Sequence, residues 1–445
     1  MEIIARMDNG VPGLQVHKFG GASVKDAAAI LNLCHIVREY GGPGPLLIVV
    51  SAMGKTTNAL EEIYDLAYSG QNYESALQQL ENFHQQAADE LKMVADSPSG
   101  GYFAKLLLQL RQRLKRLKPE DDYDEYYDQI VSFGELLASQ LVAHALKAQI
   151  FDCRTLIRTD NAWREGRVDW RATEQLVCGT SFSLIKHFLG EGPVVTQGFL
   201  GGTSYAQTTI QNPEKTICLE RTTTLGREGS DYTAAILAYC LRAGSVTIWK
   251  DVAGLLSADP KLFPDAVRYP EISYQETIEM AYYGASVIHP KTLKPLAEHG
   301  IPLRVKSFLD PGAPGTLIHN CQHPALAPAF IRKTGQCLLS FESKDFAFIS
   351  EENLEVIFGA LAQARLKINL MQNSAISFSV CTDFSERRVQ QLLGLLGGQF
   401  RTHYNADLTL FTIKNYDAAS MARLTEGREL LLEQRTRHTF QFVCR

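Results

Sequence analysis

The sequence is short of long apolar runs, of charge of one sign and of paired cysteines, and each shortage excludes something. No window approaches the ~18 uninterrupted apolar residues of a membrane-spanning helix. The opening MEIIARMDNG has no apolar stretch of the signal-peptide kind. A membrane partner is therefore not expected, and a cytoplasmic location is. Lys and Arg number 44 against 49 Asp and Glu, a net charge of −5 without long runs of either sign. Nucleic acid and anionic membrane surfaces are thus not expected as partners. The nine cysteines lie scattered from Cys34 to Cys444 without a CxxC pair, and the eleven histidines show no HExxH spacing. That leaves no disulfide frame, no zinc site and no directly assigned metal ligand. What remains, 445 residues with 45% hydrophobic and 21% charged content, suits a globular chain of two or three domains.

Short apolar runs at 16–19, 46–50, 151–157, 194–200, 246–249 and 303–308 read as strands. Between them lie amphipathic stretches such as Phe103, Leu106, Leu107, Leu110, Leu114 and Leu117, at helical spacings of three and four. This alternation predicts a three-layer α/β domain with a central, mostly parallel sheet, whose ligands bind at the carboxyl ends of the strands. Residues 58–146 read as almost wholly helical, an insertion after the second strand placed to act as a lid or to pack around the sheet. The pattern loosens at 319–328 into a linker. Beyond it, strand 337–341, helix 351–365, strands 368–371 and 376–382, helix 385–396 and strand 399–404 spell βαββαβ. A shortened second copy follows: strand 408–413, helix 418–426, and strands 429–434 and 439–443.

Four segments carry chemistry. The first strand runs into Lys18-Phe19-Gly20-Gly21-Ala22-Ser23, with a helix from about Asp26. Glycines at such a turn let backbone N–H groups approach phosphate oxygens, and Lys18 at the strand end can neutralise a transferring phosphoryl group. For a lone GG turn, a solvated lysine is the plainer explanation. The second strand leads into Ser51-Ala52-Met53-Gly54-Lys55-Thr56-Thr57-Asn58. This is not a P-loop, because GxxxxGK[ST] requires glycine where Val49 stands; its hydroxyls and amides, including Ser51, suit a polar substrate. Arg221-Thr222-Thr223-Thr224-Leu225-Gly226-Arg227-Glu228-Gly229-Ser230-Asp231 combines an arginine for a carboxylate, hydroxyls and glycine amides for phosphate, and an acid at a helix start. Asp231 is placed to orient Lys18, or simply to cap the helix expected at 232–240. Trp249-Lys250-Asp251-Val252-Ala253-Gly254 suits a nucleotide pocket or an ordinary buried strand and turn.

Together these segments resemble the aspartate kinases of the amino-acid kinase family. Lys18 to Val24 is similar to KFGGTSV, with Ala22 for threonine. Arg221 to Asp231 is similar to RTTTLGRGGSD, with Glu228 for glycine. Phe133-Gly134-Glu135, Lys250 to Gly254 and Tyr283-Gly284-Ala285-Ser286-Val287-Ile288-His289-Pro290 match in order and spacing. The resemblance implies a catalytic domain over 14–320 and an ACT-like regulatory region over 330–445. It implies aspartate and ATP as substrates, Mg²⁺ as cofactor, and catalytic roles for Lys18 and Asp231. Thr57, Glu135 and Arg221 are implied aspartate contacts. Lys18, Gly20, Gly21, Ser23, Lys250, Asp251, Leu256, Lys261, Ser286 and Val287 are implied ATP contacts; Leu256, Lys261 and Ser286 depart from the family's commoner tyrosine, arginine and lysine. Asn369 and Ser374 are the implied effector contacts. The segment Ile368 to Ala375 is uncharged where lysine-sensitive relatives carry acids, which implies another effector or a role in dimerisation. A homodimer through this region is expected.

The implied reaction is in-line attack of the aspartate side-chain carboxylate on the γ-phosphorus of ATP. That carboxylate ordinarily titrates at ~3.9 and needs no general base. The rival readings are a kinase of the same fold acting on glutamate, acetylglutamate or carbamate, and a non-catalytic amino-acid sensor. No homoserine dehydrogenase pattern follows the regulatory region, so a monofunctional kinase is expected.

Overall fold

The computed structural model describes residues 10–208, 216–285, 287–322, 326–344 and 347–445. The chain forms two compact units. The first holds the residues up to Leu255 together with Tyr269–Tyr274 and Ile288–Cys321; the second holds Leu256–Arg268, Gln275–Val287 and Gln322–Arg445.

The first unit is built on strands β1 (Gln15–Phe19), β2 (Leu46–Val50), β3 (Gln149–Phe151), β4 (Val194–Gln197), β5 (Leu200–Thr208), β6 (Thr216–Thr224), β7 (Ser245–Lys250), β8 (Glu271–Ser273), β9 (Leu303–Ser307) and β10 (Thr316–His319). Eight of them form one sheet in the order β3-β4-β2-β1-β7-β9-β10-β8. Every pairing is parallel except β9 with β10. A strand such as β2, LLIVV and buried at all five positions, must be covered on both faces, which is the signature of a parallel sheet between helical layers. Its helices are α1 (Ala27–Tyr40), α2 (Thr56–Tyr68), α3 (Glu74–Glu90), α4 (Pro98–Lys115), α5 (Tyr123–Val131), α6 (Phe133–Leu146), α7 (Trp170–Gln175), α8 (Phe182–Glu191) and α9 (Gly229–Leu241). The end of β1 is fixed by ring packing. Phe19 stacks on Trp249 with centroids 5.9 Å apart. The Trp249 indole N–H points at Nδ1 of His17, 3.4 Å away, and burial lowers the His17 pKa to about 4, with Lys306 acting the same way. His17 is therefore a neutral core side chain.

Three departures from the sequence pattern have local causes. The run 151–157 stops being strand after Phe151, because the Asp152 side chain accepts from the Arg154 amide and starts a 3-10 turn, Cys153–Thr155. The strand expected to reach residue 200 ends at Gln197. Gly198 then packs so tightly on α9 that a Cβ there would lie 2.5 Å from the Ser230 Cβ, and the chain turns into the antiparallel hairpin β5–β6. Within the helical stretch 58–146 the chain breaks at Ser132, which separates the helices Tyr123–Val131 and Phe133–Leu146.

The second unit continues with α10 (Tyr274–Tyr283), of which Tyr274 belongs to the first unit, and later with α12 (Glu351–Gln363), α13 (Glu386–Leu396) and α14 (Ala418–Thr425); α11 (Pro290–His299) lies in the first unit. Strands β11 (Ala329–Ser343), β12 (Ile368–Asn373), β13 (Ser377–Asp383), β14 (Phe400–Lys414), β15 (Leu430–Arg435) and β16 (Thr439–Cys444) make an antiparallel sheet in the order β12-β13-β11-β14-β16-β15. The strands read separately as 399–404 and 408–413 are one strand, β14. It pairs with β11 from Ala329 opposite Lys414 to Ser343 opposite Phe400, with register shifts between Lys333 and Leu338. The shortened second copy thus gains its fourth strand from ahead of the first, in the opening residues of β11. Phe263 and Ala258 pack on its face beside Phe411, Phe440 and Phe442.

Lys414 sits at the end of β14, 3% exposed, between Glu279 and Glu276 of α10. Lys414→Met leaves two carboxylates facing each other without their cation. It is expected to destabilise this unit by about 2 kcal/mol, measured as a lowered melting temperature of the second unit.

Candidate active site

The parallel sheet brings the motif residues together at the carboxyl ends of β1, β2 and β7. They line a cavity of about 550 Å³ with Lys18, Gly21, Ser51, Thr57, Glu135, Asp231 and Lys250 on its walls. Gly21 is required by close approach: a Cβ on it would lie 2.9 Å from the carbonyl oxygen of Gly54 and 3.0 Å from that of Ala52.

Asp231 is the electrostatic centre. Its side chain is 2% exposed, with Lys18 Nζ 2.7 Å from Oδ1 and Lys250 Nζ 3.2 Å from Oδ2. Burial alone would raise the Asp231 pKa, but the two lysines hold it below the ordinary carboxylate range. The helix-cap role does not apply, since Glu228 occupies the N-cap of α9 and Asp231 is its third residue. Glu135, in the first turn of α6, accepts from the Ala52 amide through Oε1 at 3.1 Å. Its Oε2 is buried and has no hydrogen-bond partner among the described residues. Burial pushes this carboxyl up to about 8, against the Ala52 amide and the charge of Lys18. A buried carboxyl with one oxygen unused is complementary to an incoming cation.

Several residues taken from the sequence stand elsewhere. Ser23 does not line the cavity; its hydroxyl donates to the Gly20 carbonyl at 2.6 Å. Gly20 also lies off the wall, beside the Lys18 ammonium. Asp251 is exposed and outside the lining. Arg221 is a correction: it does not line the cavity, and its Nε lies 3.2 Å from a Glu125 carboxylate oxygen. Two arginines line the wall, Arg164 and Arg227. Arg164 is paired with Asp124 and lies over the Tyr127 ring, whereas Arg227 stands six residues beyond Arg221 in the same motif, past the end of β6 and in the loop that enters α9. Leu256, Lys261 and Val287 belong to the second unit, as do Asn369 and Ser374. Ser286 lies outside the described residues. Asn369 accepts from Lys333 at 3.1 Å and donates to Gln336 and Asp383, and the Ser374 amide closes the β12–β13 turn on Ser377.

Sequence reasoning passed over one supporting group entirely. Asp128 on α5 is fully buried. It accepts from the Thr224 amide at 2.9 Å, the Thr224 hydroxyl at 2.7 Å and the Arg164 amide at 3.0 Å. Burial pushes its carboxyl up to about 6 in spite of these donors. Thr224, Arg164, Glu165 and Arg227 form one wall of the cavity, and the Gly166 amide donates to the Thr224 carbonyl at 2.8 Å. Asp128 therefore ties together two loops that are 60 residues apart in the chain. An aspartate beside two tyrosines in a helix has no sequence signature for such a role.

Asp128→Ala leaves two backbone amides and the Thr224 hydroxyl without their acceptor, and about 2–3 kcal/mol of stability is expected to be lost, read by thermal or urea unfolding. Glu135 makes a separate prediction. The native state keeps its proton up to about pH 8, whereas the unfolded chain releases it near the ordinary glutamate value of 4.5. Unfolding in that window releases a proton, so this group's contribution to stability falls as pH rises from 4.5 to 8. Glu135→Gln is expected to lose less stability than the parent protein between pH 6 and pH 8.

A profile of the amino acid kinase family matches residues 13–307. Lysine-sensitive aspartokinase 3 of Escherichia coli is 33% identical over 377 residues, covering 83% of this chain and 78% of that protein. A crystal structure of E. coli aspartokinase III with aspartate and ADP, in its R-state, superposes with a TM-score of 0.78 at 29% identity, over 97% of this chain and 96% of that one. The same enzyme with lysine and aspartate, in its T-state, gives a TM-score of 0.76 over the same shares. With its motifs gathered in one cavity and these relatives matching nearly its whole length, the chain belongs to the amino acid kinase family, in its aspartokinase branch.

Proposed function

We propose that this aspartokinase transfers the γ-phosphoryl group of ATP to the side-chain carboxylate of L-aspartate, giving 4-phospho-L-aspartate and ADP, and that Lys18, Glu135, Arg227 and Asp231 carry the reaction. The observation behind the residue assignment is the array Lys18–Asp231–Lys250 facing the unused oxygen of Glu135 across one cavity. In this reading the ammonium of aspartate pairs with Glu135, which gives up its proton as the cation arrives. Arg227 takes the α-carboxylate in a forked contact, and the Ser51 and Thr57 hydroxyls fill out the acceptor pocket. A carboxylate oxygen then forms its bond to the γ-phosphorus as the bond to the β,γ-bridging oxygen breaks, and ADP leaves with the electron pair. No proton moves in that step. Lys18 and Lys250, aimed by Asp231, neutralise charge on the phosphoryl oxygens, so catalysis is positioning plus electrostatics.

Mg²⁺ on the ATP phosphates supplies further charge neutralisation when bound. No cluster of three His, Cys, Asp or Glu among the described residues holds a metal by itself. That fits an ion carried mainly by phosphates with one or two carboxylates added. Asp231 and Glu228 are the residues for it; Oε2 of Glu228 is buried and without a hydrogen-bond partner among the described residues, on the same wall.

The product of this reaction is the first intermediate toward lysine, threonine and methionine. We assign catalysis to the first unit and regulation to the second, with an amino-acid effector near Asn369 and Ser374 and a homodimer formed through that unit. The split βαβ fold supports this reading, together with the lysine complex of the E. coli enzyme. Nucleotide contacts from Lys250, Gly21, Asp251, Leu256, Lys261, Ser286 and Val287 rest on the motif resemblance.

Lys18→Ala is expected to lower kcat about 10²–10³-fold while leaving the KM for aspartate within a few-fold. Arg227→Ala should raise that KM about 100-fold, whereas Arg221→Ala should leave it near the parent value; the reverse pattern would restore Arg221 to the site. The reaction itself is tested by trapping the acyl phosphate with hydroxylamine in the presence of Mg·ATP. Hydroxamate formed with aspartate and not with glutamate supports the assignment. Hydroxamate with glutamate alone, or with neither acid, refutes it.

A further inference from the structure

The reaction cavity is not alone in the first unit. A second one, of about 900 Å³, opens between the start of α4, the last turns of α6 and the edge strand β3, and shares no lining residue with the first. Its walls are mainly apolar, with Leu91, Tyr102 and Ile150 among them, and Tyr102 is 41% exposed there.

The polar groups on its wall are unevenly satisfied. Gln197, the last residue of β4, donates to Ser139 at 2.9 Å and accepts from the Cys153 amide at 3.0 Å. His144 Nδ1 meets the Ser99 hydroxyl at 3.2 Å, and Asp152 is held by Arg154. Gln140 on α6 differs. It is 7% exposed, it lines the cavity, and among the described residues its carboxamide has no hydrogen bond. Its amide is open to the cavity, with its hydrogen-bonding capacity unused by the described residues.

Two lysines stand at the mouth. α3 and α6 both end here in the same way, each with a lysine in the left-handed region, Lys92 at φ 58° and Lys147 at φ 53°. The amides of Met93 and Ala148 reach back to Ala88 and Ala143 and fix these turns. Both lysines are exposed, and the one carboxylate on the wall, Asp152, is already matched by Arg154. The rim is therefore cationic, the body apolar and the depth a hydrogen-bonding amide.

We propose that this cavity is a second small-molecule site, for a carboxylate with an apolar body and a hydroxyl or carbonyl at its far end. The carboxylate lies between Lys92 and Lys147, the body packs against Tyr102, Leu91 and Ile150, and the distal group meets Gln140. The same helix serves both cavities, since α6 presents Glu135 to the first and Gln140 to the second. This proposal does not depend on which acid is phosphorylated.

The test uses the full chain without substrates and 4-hydroxyphenylacetate as probe, followed by titration calorimetry, with phenylacetate as the analogue lacking the distal hydroxyl. One saturable site of about millimolar or better affinity is expected for the hydroxylated probe. Gln140→Leu should weaken it about tenfold and leave phenylacetate unchanged, because a site built around a hydroxyl discriminates by that bond. If Gln140→Leu does not fold, as judged by circular dichroism, Lys147→Glu on the exposed rim takes its place and should weaken both acids about tenfold. The absence of saturable binding, or affinity for the hydroxylated probe unchanged in the deciding variant, overturns the proposal.

Discussion

One buried carboxylate shared by two lysines organises the catalytic unit. Asp231 draws Lys18 from the end of β1 and Lys250 from the end of β7 to within hydrogen-bonding distance. Those strands are direct neighbours in parallel register. The parallel sheet is what makes this possible, because it delivers residues far apart in the chain to one edge with their side chains converging. Two cations held by one anion also leave a surplus positive charge there, and a desolvated surplus of that kind suits a phosphoryl group in transfer.

The packing that holds this array in place is aromatic and apolar on the sheet side and polar on the loop side. Phe19, Trp249 and a neutral His17 fix the strands. Asp128 fixes the loops, through two backbone amides and one hydroxyl. The division follows from what each part offers: strands have paired backbones and can be held by side-chain packing, whereas loops carry unpaired amides that need an acceptor.

The fold was legible where a signal is local. Runs such as LLIVV announce buried parallel strands, and β2 lies at 46–50 as read. Lys18, Thr57, Glu135 and Asp231 come together as their motifs imply. Arg221 and Arg227 show the limit. Both lie in one motif, but β6 carries Arg221 three residues inside the hairpin, whereas Arg227 lies beyond its end, in the loop entering α9. Asp128 was invisible because its value comes from partners 36 and 96 residues away. The joined strand β14 was hidden for a related reason. His403 to Asn405 pair with β11, while Ala406 and Asp407 form an irregularity with Asp407 at φ 55°, so what interrupts the pattern is a bulge within one strand.

The interleaving of the second unit limits how this protein can be recombined. Leu256–Arg268 and Gln275–Val287 leave the catalytic stretch of sequence to join it, and β11 supplies one strand to each half of its sheet. Sequence modules and structural modules therefore do not coincide. A single crossover near residue 322 would transplant the six-stranded sheet while leaving behind the segment that packs on Phe411 and Phe440. Exchange of regulation between relatives of this architecture demands several matched junctions, so variation there is expected to accumulate by substitution within the unit rather than by shuffling it whole.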